Sequence, residues 1–232
     1  KSANLLKKIK VPFIKIASGE LTNLELIDYI SKMKIPMMIS TGMTSISEIS
    51  KVVEIVQSNN CPFSLLHCVS SYPAKHSDAN LSTISYLQKT FDIPVGFSDH
   101  TLGIDVSLAA VALGATIIEK HFTLDKNMTG PDQKLSIDPK ELSDLVKKIR
   151  IIEKAMGHSR KTIYKTEESF RTNMRKSLGT NQNIPANTII KRSMITSFRP
   201  GIGIPPYLID EFIGRKTKKS IKKGSLLNWN FF

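Results

Sequence analysis

Between residues 11 and 156, short β-branched runs alternate with helical patterns five times, and no other feature of the 232 residues limits the fold so tightly. The runs are PFIKIAS (12–18), IPMMIST (35–41), PFSLLHCVS (62–70), IPVGFSD (93–99) and ATIIEKHF (115–122). Their starts lie 22 to 31 residues apart. That is the length of one strand plus one helix, so parallel strands joined by right-handed crossovers are predicted. The segments between them carry helix signals. SISEISKVVEIV opens on a capping box, Ser45 with Glu48, and DPKELSDLVKKIRIIEKAMG has Asp138 as N-cap, Pro139 in the first position and Gly157 as stop. Leu142, Leu145, Val146 and Ile149 fall on one face of the second helix.

Five consecutive strand–helix units point to an α/β fold of the (β/α)8 TIM-barrel kind, which closes with eight strands. About three N-terminal units would then be missing, since Lys1 is not a start methionine and leads directly into the first unit. An open doubly wound sheet is the rival architecture. After Gly157 the pattern changes to short lysine-rich segments punctuated by NIPAN, RPGIGIPP and KKGS. The expected organisation is a barrel domain over 1–157, a linker with a short helix over 158–176 and a small β-rich domain over 177–232. IPANTII (184–190) and IKKGSLL (221–227) echo one another 37 residues apart, as a hairpin-like unit used twice would.

The formal charge of +13 raises the question of nucleic acid, but the lysines are scattered and aromatics amount to 7%. Small phosphorylated or carboxylated substrates fit the same charge, and neither nucleic acid nor membrane is expected as a partner. No apolar run reaches the length of a membrane span and the N-terminus lacks a signal-peptide core, so the cytoplasm is the expected location. Cys61 and Cys68 are too few for a disulfide framework and read as packing residues.

Catalytic groups in such folds gather at the carboxyl ends of the strands. The first run offers Lys15, Ser18 and Glu20. Alternation turns Ile14 and Ile16 toward helices and Lys15 to the interior, where a substrate phosphate or carboxylate is its natural partner and an internal salt bridge the alternative. The second run ends in Ser40, Thr41 and the Gly42 amide, a possible phosphate cradle. The third supplies His67, Cys68, Ser70, Ser71 and Tyr72. The fourth and fifth end on His100 and His121, and adjacent strands about 4.8 Å apart would let both imidazoles reach one divalent ion, with Asp99, Glu119 and Asp132 as outer groups.

The ordered set KIASGE, STGM, LLHCVSSYP, GFSDHTLGIDVSLAAVALGATIIEKHFTLDKNMTGPDQKLSIDP and RPGIGIPP resembles the N-acetylneuraminate (sialic acid) synthase family, which includes the legionaminic and pseudaminic acid synthases. The resemblance runs from about residue 5 to the C-terminus. It implies a TIM-barrel enzyme that condenses phosphoenolpyruvate with an N-acetylated mannosamine-type hexosamine, releasing phosphate and forming a nine-carbon 2-keto acid. It further implies a Mn2+ or Mg2+ ion on His100 and His121, phosphoenolpyruvate on Lys15, Ser18, Ser40 and Ser98, sugar contacts from Tyr72 and Asp132, and acidic site residues Glu20 and Glu119. Ser70 stands where bacterial N-acetylneuraminate synthases have asparagine, which leaves the sugar open. The tail resembles the family's antifreeze-like (β-clip) domain, implying a domain-swapped homodimer in which Arg199 reaches the sugar of the other subunit. Two other readings stand beside this one: a truncated remnant that keeps binding and dimerisation surfaces without turnover, and a Schiff-base aldolase using Lys15.

Overall fold

A computed structural model describes residues 2–232, which divide into two compact units between His158 and Ser159. The first unit begins with helix α1 (Ser2–Lys8) and then repeats strand and helix: β1 (Ile14–Ile16), α2 (Leu24–Ser31), β2 (Met37–Ser40), α3 (Ile46–Ser58), β3 (Phe63–Cys68), α4 (Ser82–Phe91), β4 (Val95–Asp99), α5 (Asp105–Ala112), β5 (Ile118–Lys120) and α6 (Pro139–Met156). All five strands pair in parallel in the order β1-β2-β3-β4-β5, each beside its neighbour in sequence. A doubly wound sheet would reverse its order at a switch point, so this is barrel order, a half-barrel of five strands.

The alternating runs explain the core. Ile14, Ile16, Met37, Ile39, Leu65, Val95 and Phe97 pack against Ile27, Ile30, Val52, Val56, Ile84 and Leu87 from the helices. At the start of α3 the Ser45 amide donates to Glu48 Oε2 at 2.7 Å. The Ser45 hydroxyl also donates to that oxygen, at 2.7 Å. Asp138 and Glu141 exchange amide-to-carboxylate bonds of 2.8 and 2.9 Å at the start of α6, and Gly157 ends that helix at φ +52°. On α6 only Leu145 is buried; Leu142 and Val146 are exposed, because the expected apolar stripe is wider than the surface packed against it.

The second unit contains helix α7 (Glu168–Met174) and an antiparallel pair, β6 (Ser177–Thr180) with β7 (Ile195–Phe198). Its core is Leu178, Ile184, Ile190, Ile195, Ile204, Phe212, Ile221 and Leu227. The two echoing segments meet here. Ile184 and Ile221 exchange backbone hydrogen bonds of 2.8 Å in both directions, and the fourth residue of each segment, Asn187 and Gly224, turns through positive φ (+64° and +79°). The shared Asn/Gly position is where each copy needs a left-handed turn. Among the described residues no helix is long and apolar enough to cross a membrane.

Candidate active site

Alternation sorts the polar residues at the ends of β4 and β5 onto two faces. Ser98, His100, Glu119 and His121 line a cavity of about 360 Å³ at the carboxyl end of the sheet. Lys15 and Ser18 reach it from β1 and the turn beyond, Ser40 from β2, and Cys68, Ser70 and Tyr72 from β3 and its following loop.

One side of the cavity is a charged cluster. Lys15 Nζ lies 2.9 Å from both carboxylate oxygens of Glu119, and Ser98 Oγ donates to Glu119 Oε1 at 2.6 Å. Burial pushes the Glu119 carboxyl upward, but Ser98 and Lys15 outweigh it and hold the group below the ordinary carboxylate value. The imidazoles belong to the same two strand ends, two residues beyond Ser98 and Glu119. The His100 and His121 ring centroids are 5.3 Å apart at 73°, and the Tyr72 ring lies 4.2 Å from His100 and 5.7 Å from His121. His100 Nδ1 is 2.8 Å from the Val69 carbonyl, which can only accept. The Nδ1 atom therefore carries the proton, and Nε2 keeps its lone pair for another partner. Burial disfavours the charged form of His100, yet Cys68 and the Val69 carbonyl more than offset it and the pKa lies above its ordinary value.

Hydroxyl groups make up a further part of the lining, a hydroxyl floor. Ser40 Oγ is buried and has no hydrogen-bond partner among the described residues, so it is available to a polar ligand. Gly42 is required by close approach: a Cβ there would lie 2.3 Å from Ser70 Oγ, 2.9 Å from Ser18 Oγ and 3.2 Å from Cys68 Sγ. The phosphate cradle expected from Thr41 and the Gly42 amide is not open. The Thr41 hydroxyl donates to the Leu66 carbonyl at 3.0 Å and the Gly42 amide donates to Ser18 Oγ at 2.9 Å, so both are already committed.

Other candidates lie outside the cavity lining. Glu20 is exposed at the end of a 3-10 turn, where its carboxylate accepts from the side chain of Asn23, the N-cap of α2, at 3.0 Å, and it does not line the cavity. Asp132 stands outside the lining with Oδ2 3.7 Å from His121 Nδ1. Arg199 belongs to the second unit, where its Nε donates to the Met174 carbonyl at 3.1 Å. Asp99, expected as an outer group for the ion, faces the opposite way and pairs with Lys120. His67 likewise points away and its Nε2 lies 2.7 Å from the Ala79 carbonyl. Its neighbour Cys68, read as a packing residue, is buried but lines the cavity with its thiol 3.8 Å from His100 Nδ1. Burial raises that thiol's pKa, while His100, Ser18 and Ser98 together bring it below its usual value. Period-two alternation with His67 is the signal that separates the two.

A cavity lined by ammonium, carboxylate, hydroxyl and imidazole groups at the strand ends of a parallel β/α sheet is the arrangement of a barrel-type enzyme. The model of the NeuB family matches residues 1–161 and that of the SAF domain matches residues 175–232, and the chain belongs to the NeuB family. It is 42% identical over 229 residues to the N,N'-diacetyllegionaminic acid synthase of Campylobacter jejuni, covering 97% of this chain and 69% of that one. The N-acetylneuraminate-9-phosphate synthase of Homo sapiens is 38% identical over 224 residues, covering 96% and 62%. Among solved structures, the N-acetylneuraminic acid (sialic acid) synthetase of Leptospira borgpetersenii superposes with a TM-score of 0.69 at 42% identity, covering 72% of this chain and 59% of that one. The chain thus spans about two thirds of the length of these relatives.

Proposed function

We propose that this chain is the cavity-bearing part of a synthase that condenses phosphoenolpyruvate with an N-acetylated mannosamine-type sugar, yielding a sialic-acid-like nonulosonic acid and inorganic phosphate. The observation that carries this reading is the convergence, in one cavity, of the Lys15–Glu119–Ser98 cluster, the unpartnered Ser40 hydroxyl and two imidazoles.

In this reading C3 of the enol attacks the aldehyde carbon of the open-chain sugar. Water then adds at C2, and the tetrahedral product expels phosphate. Lys15 holds its ammonium between Glu119 and the anionic substrate, and the hydroxyls of Ser18, Ser40 and Ser98 supply donors for the carboxylate and phosphate oxygens. Glu119, kept ionised by Lys15 and Ser98, is the carboxylate in the cavity lining and takes a proton from the attacking water. Tyr72 stacks beside the imidazoles and gives the sugar an apolar wall with a hydroxyl at its edge.

His100 and His121 are the residues that would hold Mn2+ or Mg2+, with a lone pair on His100 Nε2 and the Val69 carbonyl orienting its ring. Among the described residues no cluster of three or more His, Cys, Asp or Glu suits a metal, so a two-imidazole set fits an open ion completed by water and substrate rather than a closed structural site. Such an ion, when bound, polarises the aldehyde oxygen. The Lys15–Glu119 ion pair speaks against the Schiff-base alternative, which needs a free amine.

Arg199 of the second unit is assigned to the sugar of the other subunit in a domain-swapped homodimer. The deciding experiment is phosphate release by the full-length protein from phosphoenolpyruvate with N-acetylmannosamine and with 2,4-diacetamido sugars, with and without Mn2+. Release dependent on both a sugar and the ion, and lost in His100→Ala and His121→Ala variants that still fold, is expected. Equal release after EDTA treatment, or in either histidine variant, overturns the metal assignment, and no release with any sugar overturns the reading.

A further inference from the structure

Directly behind the two imidazoles lies a second polar pair that the chemistry does not use. Asp99 and Lys120 are register partners on β4 and β5, and each immediately precedes one of the histidines. Their side chains, 0% and 4% exposed, turn to the helix side of the sheet. Lys120 Nζ donates to Asp99 Oδ2 at 2.9 Å and to the Thr101 carbonyl at 2.8 Å. The remaining capacity of the carboxylate is filled as well. Ser107 Oγ, from α5, donates to Oδ2 at 2.5 Å, and the Thr101 amide and hydroxyl donate to Oδ1 at 2.8 and 2.7 Å.

The location gives this pair a mechanical role. β5 is three residues long and its described sheet partner is β4 alone, with Asp99 and Lys120 forming the last rung of that ladder. His100 is tied to the loop after β3 through Val69, while His121 is held on the other side, where its carbonyl accepts from the Ile137 amide at 2.8 Å. The two rings meet edge to face, with centroids 5.3 Å apart, but among the described residues no hydrogen bond joins them. The ion pair crosses from one strand end to the other within one residue of both and is secured to α5 by Ser107. A buried ion pair contributes little stability over an apolar replacement of the same size, so stability alone does not account for it.

We infer that the buried Asp99–Lys120 pair is a positioning device that fixes the separation of His100 and His121 and thereby the affinity of the two-imidazole site for a divalent cation. The inference rests on the metal reading proposed above, and it concerns how tightly the ion is held rather than whether it is used.

The test is a titration of Mn2+ alone into the full-length protein, read by the electron paramagnetic resonance of the free ion, beside a thermal melt. The Asp99→Asn/Lys120→Met double variant removes both charges together, so neither partner is left buried and unpaired. A Mn2+ dissociation constant raised by about ten- to a hundredfold, with the melting temperature near that of the wild type, is the result expected when an outer contact orients a metal ligand. A folded double variant that binds Mn2+ as the wild type does overturns the inference while the metal reading stands. A wild type that binds no Mn2+ overturns the metal reading and this inference with it. If the double variant does not fold, Ser107→Ala decides: it removes one of the four hydrogen bonds to Asp99, a severalfold weaker Mn2+ affinity is expected, and an unchanged one overturns the inference.

Discussion

Ser98 and Glu119 are register partners on adjacent parallel strands, and the hydroxyl of the first donates to the carboxylate of the second at 2.6 Å, with Lys15 at 2.9 Å completing the cluster. The hydroxyl thus helps keep Glu119 ionised and lies where a substrate anion would share its proton. Ser98→Ala is expected to lower kcat/KM for phosphoenolpyruvate about ten- to a hundredfold, the usual loss for a hydrogen bond to a charged group. The melting temperature should move little. Steady-state kinetics that match the wild type would remove Ser98 from the site.

Gly42→Ala tests the hydroxyl floor. The new methyl would lie 2.3 Å from Ser70 Oγ and 2.9 Å from Ser18 Oγ, so both side chains must rotate away. A stability loss of about 1–3 kcal/mol is expected for such overpacking, together with a higher KM. Denaturant unfolding and steady-state kinetics measure the two separately, and an unchanged KM would mean that Ser18 and Ser70 do not contact substrate.

His67 gives a pH dependence of stability. Burial pushes its pKa below the ordinary value, and the hydrogen bond to the Ala79 carbonyl opposes this only partly. The folded form therefore stays neutral when an unfolded chain, with a histidine pKa of about 6.5, has begun to bind a proton. The contribution is complete above that pH and is lost as the pH falls toward the lowered native value, at no more than about 1.4 kcal/mol per pH unit. Equilibrium unfolding from pH 7.5 to 5 should show a shallower decline in His67→Gln than in the wild type. Identical slopes would contradict the assignment.

Arg199 yields a test by mixing. If it serves the other subunit, Arg199→Ala and His121→Ala homodimers are both inactive, but a mixed dimer contains one site with every group intact. Unfolding and refolding the two variants together should restore about a quarter of wild-type activity, as random pairing in a two-fold dimer requires. Failure to recover activity above the sum of the separate variants would place Arg199 in its own subunit's site or outside any.

Features carried by local spacing were legible from the sequence. The five runs, the capping box Ser45/Glu48 and the Asp138 N-cap depend on neighbours within a few residues, and the parallel order and the Asn187/Gly224 echo on regular spacing along the chain. The histidine pair and the Lys15 orientation followed from alternation along a strand. What escaped depends on competition for partners across the sheet. The Gly42 amide and Thr41 hydroxyl looked free in one dimension but are claimed by Ser18 and Leu66. Glu20 is close to Ser18 in sequence, yet its 3-10 turn directs it to Asn23. Asp99 stood beside a histidine and was grouped with it, although adjacent strand residues face opposite ways.

Among the described residues β1 bonds to β2 alone, and β5 has only β4 as its partner strand in the sheet. Each outer strand therefore presents a row of amide and carbonyl groups that a further strand of a closed barrel would satisfy. In a fragment without such a strand, the nearest equivalent donor is the edge of another copy. Residues 2–158 produced as a separate fragment would consequently be adhesive at both margins, self-associating through backbone complementarity while the cavity between those margins remained correctly built.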